Sequence, residues 1–442
     1  MKTFSLAGAL LAVSSSLPSY VVATEANTSN STANNPLAAF NPAFSVIFNG
    51  MYYHDNADGE GTALLEEADS AFHSHGGHEE HGHEDIKRGF NLNETELTMS
   101  GSVDSYFDAW LSAAISSGGE FELEEAWIRS QSLPAGLQVK AGRFLSAIGY
   151  HNEKHPHSWN FADQNLAYLS LFGDHGVAGD GVQLTWLAPT DSYLQLGLEV
   201  VQGDNLEPVG SIIDADDVAA DISEELGANV TAEDLNLADQ NGPQLGVFTL
   251  RYAPDLGAHR AIQLGLSAAR HQDSQAFHEE GGGELFVTQG DTDIFGAQAI
   301  YKHFPSGQYG KGGWSVTGEY FHADSDQKAV FHSDAAELGL PVESKQGAAY
   351  VEATYGFAPR WQIGLRTAAS GIGGEFSEGN ETEEVRLSRQ HSAALTWYAT
   401  EFSKLRLQFN RNDVHGEDGN EEYNQVFLQY NLSLGAHGAH SF

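Results

Sequence analysis

Segments of about ten residues that alternate apolar and polar side chains recur along most of this chain. Leu405, Leu407 and Phe409 alternate with Lys404, Arg406, Gln408 and Asn410. Trp361, Ile363 and Leu365 alternate with Gln362, Gly364 and Arg366, and Leu194, Leu196, Leu198 and Val200 with Gln195, Gly197 and Glu199. Successive side chains of a strand point to opposite faces, so each segment has one apolar and one polar face. About sixteen such segments begin near residues 43, 89, 105, 120, 136, 179, 192, 243, 259, 291, 311, 345, 360, 388, 401 and 422, with bounds good to roughly 2–4 residues.

The connections restrict the fold further. Leu133-Pro134-Ala135-Gly136, Ala188-Pro189-Thr190-Asp191, Ala253-Pro254-Asp255, Phe357-Ala358-Pro359-Arg360 and Ala399-Thr400-Glu401 are short. The connections 56–88, 146–178, 203–242, 271–290, 322–344, 370–384 and 412–421 read as long, and long and short largely alternate; Ser116 to Glu120 is the brief exception. An even number of antiparallel strands with long loops at one end and tight turns at the other describes an all-β fold, a transmembrane antiparallel β-barrel of about sixteen strands. Lipid offers backbone groups no hydrogen-bond partner, and a closed sheet pairs them all internally. A soluble β-sandwich would show the same alternation, with its apolar faces packed on each other. The alternating loops and a leader segment decide for the barrel.

Lys2, the apolar run Phe4 to Val13 and the small residues ending at Ala23 read as an export signal over residues 1–23. Residues 24–42 then form a short periplasmic segment and 43–442 the barrel, in the outer membrane of a Gram-negative cell. At the other end, Val426, Leu428, Tyr430, Leu432 and Leu434 form an apolar stripe, and Phe442 is the last residue. An aromatic terminus after a final strand looks like the signal that such barrels present to their assembly machinery. Outer-membrane lipid and lipopolysaccharide are the expected surroundings. Sixty-one acidic against 21 basic residues give a formal net charge of −40, which excludes a nucleic-acid partner. The absence of cysteine excludes disulfides, thiolate metal sites and cysteine nucleophiles.

The stretch Leu123-Glu124-Glu125-Ala126-Trp127-Ile128 followed by Leu133-Pro134-Ala135-Gly136-Leu137-Gln138-Val139-Lys140-Ala141-Gly142-Arg143-Phe144 resembles the phosphate-selective porin O/P superfamily. Ile148-Gly149-Tyr150-His151-Asn152-Glu153-Lys154-His155-Pro156-His157, the His-rich first connection and the tail Leu434-Gly435-Ala436-His437 to His440 are similar to a proteobacterial group of plugless barrels. That group is labelled zinc-regulated, TonB-dependent-type outer-membrane receptors. The TonB label implies a plug domain, yet only about twenty residues separate Ala23 from the first strand, too few to fold independently. By analogy with general porins, the third outer loop, with His151, His155, His157 and His175, folds inward as a pore constriction, and a homotrimer is the arrangement such barrels suggest.

Most of the twenty histidines fall in the long connections. The first carries His73, His75, His78, His81 and His83 among Glu79, Glu80 and Glu84. Imidazole and carboxylate suit Zn2+, and also Cu2+ and Ni2+, so this loop is the expected metal-capture site, with zinc as captured or transported ion and no cofactor required. The third-loop histidines read equally as ligands or as a constriction turn, and His437 and His440 as structural or metal-binding groups at the rim. The acidic connection 203–242 reads as a solvated surface or a cation funnel, and Ile213 to Glu225 in it as a short amphipathic helix.

On lumen-facing parity lie Glu199, Glu352, Arg366, Lys404 and Arg406, the charges expected to set selectivity. There is no G-x-S-x-G elbow, Walker motif or H-E-x-x-H pair, and the chain is not expected to be an enzyme. The expected function is a porin-like channel for small hydrophilic solutes whose outer loops capture divalent metal. A TonB-dependent-type metal receptor and a phosphate- or anion-selective porin are the competing readings.

Overall fold

The computed structural model describes residues 42–59, 61–66, 68, 70–72, 86–116, 119, 121–203, 205–206, 208–238, 242–280, 284–305, 307–416 and 419–435. The expected export signal, nearly all of the 24–42 segment, the first-loop ligands His73 to Glu84 and the tail with His437, His440 and Phe442 lie outside the described residues.

Sixteen antiparallel strands among the described residues form one closed barrel. They are β1 (Ala43–Asp55), β2 (Gly89–Ser102), β3 (Phe107–Ile115), β4 (Phe121–Ser130), β5 (Leu137–Leu145), β6 (Ala178–Leu187), β7 (Tyr193–Val201) and β8 (Leu245–Ala253). β9 (Arg260–Glu280), β10 (Glu284–His303), β11 (Trp314–His332), β12 (Pro341–Ala358), β13 (Trp361–Glu378), β14 (Ser388–Thr400), β15 (Ser403–Gly416) and β16 (Gly419–Gly435) follow. Each strand pairs with its neighbours in sequence, and β1 also pairs with β16 from Ser45 opposite Gly435 to Asp55 opposite Gln425, which closes the sheet.

The burial is inverted relative to a soluble protein. Along β15, Leu405, Leu407 and Phe409 are 39%, 50% and 47% exposed, while Arg406, Gln408 and Asn410 between them are 1%, 0% and 0% exposed. Only a lipid surround makes an outward apolar face and an inward polar face favourable together. Trp186, Tyr193, Tyr252, Trp314, Trp361 and Trp397 are all exposed near the short-turn end, as the aromatic belt of a membrane interface requires.

The strand starts read from the sequence agree with the structure to within four residues, except that β10 begins at Glu284 rather than near 291. The loops expected at 271–290, 322–344, 370–384 and 412–421 are mostly strand. β9 runs for 21 residues and β10 for 20, about twice the length that crosses a bilayer. The sheet therefore continues past the membrane as a polar crown. Arg270 pairs there with Asp291 and Asp293, Lys345 with Glu375 and Arg411 with Glu422, all on the outer face. In water neither face needs to be apolar, so the alternation that marks a strand in lipid disappears.

Three α-helices among the described residues belong to the long loops. α1 (Ala63–Glu66) and α2 (Leu166–Phe172) lie in the first and third, and α3 (Ala215–Leu226), at the place expected for an amphipathic helix, in the fourth. Asp214 caps α3 by accepting from the Asp216 and Asp217 N–H groups, and Gly227 ends it in the left-handed conformation. Val218, Ala219 and Ile222 of α3, with Leu235, pack against Phe277, Leu285, Val287 and Val330 of the crown.

Candidate functional site: the third loop inside the barrel

Residues 146–177 leave the end of β5, enter the barrel and return to β6. Their course is fixed by hydrogen bonds to lumen-facing side chains on many strands. At the entry, the Ala147 N–H donates to Glu199 of β7 at 2.9 Å. The Asn152 side chain ties the two ends of the loop, donating to the Ser146 and Val177 carbonyls and accepting from the Val177 N–H. Glu319 of β11 accepts from the N–H groups of Tyr150 and His151 and from the Tyr168 and Tyr350 hydroxyls. Gly149 makes this approach possible. Its φ is +83°, and a Cβ there would run into the Tyr168 hydroxyl and lie 2.8 Å from Glu319 Oε1.

Above this anchor, Asn165 caps α2 by accepting from the Tyr168 N–H. Leu166, Ala167, Tyr168, Leu171 and Phe172 are all buried, packed with Leu65, Ala68, Ala71 and Phe72 of the first loop and with Phe321, Ala348 and Tyr350 of the wall. An apolar layer thus lies inside the barrel, where strand alternation had pointed to water alone.

On the side of β13 to β15 the wall is basic. Asp163 accepts from Arg366 Nη2 at 2.6 Å, from Gln408 Nε2 at 2.6 Å and from Asn410 Nδ2 at 2.7 Å. Arg406 donates to the Trp159 carbonyl and to Gln429, each at 2.8 Å. Lys404 Nζ donates to the His157 carbonyl at 2.6 Å. Arg366 also lies over the Phe161 ring. On the next wall, Asn160 donates to Glu352 of β12 at 2.6 Å, and Arg251 of β8 pairs with Glu153.

On the side of β2 to β4 the wall is acidic. His157 Nδ1 meets Glu96 at 2.5 Å. His155 Nε2 lies 3.0 Å from Glu125 Oε2, and its Nδ1 lies 3.4 Å from Glu124 Oε1. Two β-bulges bring these carboxylates inward. In β2, Asn93 is the extra residue between the pairs Gly50–Leu92 and Asn49–Glu94. Phe90 and Leu92 consequently face lipid, while Glu96 and Thr98 are buried. In β4, Glu124 is the extra residue between Leu123 and Glu125, so consecutive glutamates both reach the third loop. Bulges re-aim side chains in this way.

The four third-loop histidines have different settings. His155 and His157 stack on each other, with ring centroids 6.0 Å apart. Burial alone would lower the proton affinity of His155, but its hydrogen bonds to Glu124 and Glu125 outweigh it and raise the pKa well above the usual value. His151 sits among Trp159, Tyr168 and Tyr350 and bonds Gln164 at 2.6 Å. Burial, then the Lys154 charge, pushes it down to about 3, so the ring is neutral. His175 lies half-exposed beside Asp174. Glu199, Glu352, Arg366, Lys404 and Arg406 all face the lumen, each bonded to the third loop. Sequence reasoning missed Asp163 and the inward turn of Glu125, because loop paths and bulges break periodicity, and Glu319, which lies on a regular stretch of β11 but bonds a loop 168 positions away in sequence. The acidic run Glu122 to Glu125 was the one visible hint.

No family model matches the chain. Among solved structures, Pseudomonas putida OprB is 12% identical, with a TM-score of 0.53 over 90% of this chain and 96% of that one. The outer membrane channel DcaP of Acinetobacter baumannii is 11% identical, with a TM-score of 0.51 over 89% and 96%. The anion-selective porin from Comamonas acidovorans is 12% identical, with a TM-score of 0.50 over 89% and 99%. These likenesses establish the porin-like barrel fold. An uncharacterized protein of Aquifex aeolicus (strain VF5) is 33% identical over 413 residues, covering 91% of this chain and 80% of that protein. The chain belongs to the family of this Aquifex aeolicus protein.

Proposed function

We propose that this protein is an outer-membrane channel for small hydrophilic solutes, narrowed by its own third loop and selective for cations. The observation that carries this reading is the third loop held within the barrel by bonds to strands around its circumference, Glu96 of β2, Glu199 of β7, Glu319 of β11 and Arg366 of β13. The basic lumen groups Arg366, Arg406 and Lys404 bond to the loop. The carboxylates Glu94, Glu96, Glu124 and Glu125 crowd the facing wall, and the chain carries a formal −40. A field of that sign draws cations to the mouth and through the constriction.

Reversal potentials across a planar bilayer in a salt gradient test the selectivity. A potential on the cation side supports the proposal. One on the anion side replaces it with the phosphate- or anion-selective reading. Metal uptake that stops when TonB is removed would instead favour an energised receptor.

The His-rich first loop extends the proposal to divalent-metal capture at the mouth, zinc being the ion its imidazole and carboxylate donors suit. Calorimetric titration of Zn2+ into wild type and into a variant with His73, His75, His78, His81 and His83 replaced by Ala should show fewer ions bound by the variant. Equal binding by both would remove that loop as the capture site.

A further inference from the structure

We propose that a divalent cation of the zinc class binds inside the barrel, between the third loop and the wall of β2 and β4, with His155 Nδ1 and the carboxylates of Glu96 and Glu124 as ligands. This site is separate from the first-loop histidines and does not depend on whether the barrel conducts. One ligand atom from each of the three residues lies within 4.8 Å of the others. They come from three elements, β2, β4 and the loop, so an ion there would cross-link the loop to the wall.

The hydrogen bonding around His155 is that of a metal ligand. Its Nε2 sits 3.0 Å from Glu125 Oε2. The proton on Nε2 is held by that carboxylate, so Nδ1 is the nitrogen that would give up its proton to an ion. Carboxylate–imidazole pairs behind a metal have this form. Nδ1 faces Glu124 Oε1 at 3.4 Å, a position that the ring's second proton fills in the imidazolium and that a cation would take in its place.

The carboxylates are short of donors. The single hydroxyl proton of Ser112 is within reach of both Glu96 Oε1 and Glu124 Oε2, each at 3.0 Å, and can serve one. Glu94, two residues from Glu96 on the same strand, has an Oε1 that is shielded from solvent and takes no hydrogen bond. Four carboxylates, Glu94, Glu96, Glu124 and Glu125, crowd this wall beside the imidazoles of His155 and His157, with Lys140 and His175 the further basic groups near them. One nitrogen with several oxygens suits Zn2+ and its first-row neighbours; Ca2+ and Mg2+ take oxygen alone.

A second group of similar composition reads differently. At the crown, His332 Nε2 lies 3.1 Å from Glu337 and 3.5 Å from Glu378. Its Nδ1, however, accepts from the Asp334 N–H at 3.0 Å. The proton must then sit on Nε2, which points towards the carboxylates, and no lone pair is left for an ion.

The test uses the full chain in detergent, in the background lacking the five first-loop histidines. Zn2+ alone is titrated by calorimetry, and the zinc-loaded protein is located by anomalous diffraction. The proposal expects one bound equivalent in that background, at least tenfold weaker binding in Glu124→Gln, unchanged binding in Glu337→Gln, and an anomalous peak at His155 Nδ1. No bound equivalent, equal affinity in Glu124→Gln, or a peak elsewhere would overturn it. If a variant fails to fold, anomalous diffraction from the unsubstituted chain decides by the same peak. Reversal potentials recorded in chelator are read separately, so that failure of the metal site and failure of the channel reading are told apart.

Discussion

Asp163 gathers more of the third loop's wall contacts than any other loop side chain described, accepting from Arg366, Gln390, Gln408 and Asn410. Asp163→Ala leaves the buried Arg366 guanidinium without its counter-charge, a loss of about 3–5 kcal/mol for a buried pair. Amide-exchange protection of residues 159–165 should fall, with the barrel intact. Gly149→Ala drives a Cβ into Tyr168 and Glu319 at a positive φ and should cost about 1–3 kcal/mol; equal protection of the loop in that variant would contradict the Glu319 anchor. His151 gives a pH dependence. Its folded pKa, about 3, lies below the unfolded value of about 6.5. Its contribution to loop stability is therefore complete above about 6.5 and is lost as pH falls towards 3. Wild-type conductance should rise as pH is lowered through that window, and that of His151→Gln should change less. At this scale the sequence was partly legible. Parity alone placed Arg366, Arg406 and Glu352 in the lumen, because they lie on regular strands. Glu125 turns inward only because of a bulge, and Asp163 reaches Arg366 across 203 positions of sequence, which no local pattern encodes.

Along each strand the two ends obey different physics. In lipid the outward face must be apolar, so β15 could be read from Leu405, Leu407 and Phe409. In the crown the outer face meets water and the inner face meets loops, among them the apolar side of α3, and the far halves of β9 to β12 carried no regular alternation. The same contrast predicts the effect of substitution. Leu407→Arg puts a charge on the lipid face and should destabilise the barrel by about 2–4 kcal/mol if it lies near the bilayer centre. Asp293→Ala removes an exposed cross-strand partner of Arg270 and should cost less than about 1 kcal/mol. Urea titration of both variants refolded into vesicles measures the difference, and similar losses would contradict the placement of the membrane band. The bulges at Asn93 and Glu124 belong to this scale as well. They let β2 and β4 keep an apolar outer face while presenting glutamates to one loop.

The whole molecule is a closed sheet with its polar side inward and a loop threaded through it. Strand number and closure were legible because loop lengths alternate and because a membrane allows so few solutions. The filling of the barrel was not, since α2 and the first loop build an apolar layer from residues far apart in sequence. Together these features describe a pore restricted by the third loop. Single-channel current through the purified chain in a planar bilayer, compared between wild type and Asp163→Ala, tests this most directly. The account predicts a small, cation-preferring conductance that increases severalfold when Asp163 is replaced. A wide conductance in wild type that the substitution leaves unchanged would contradict it.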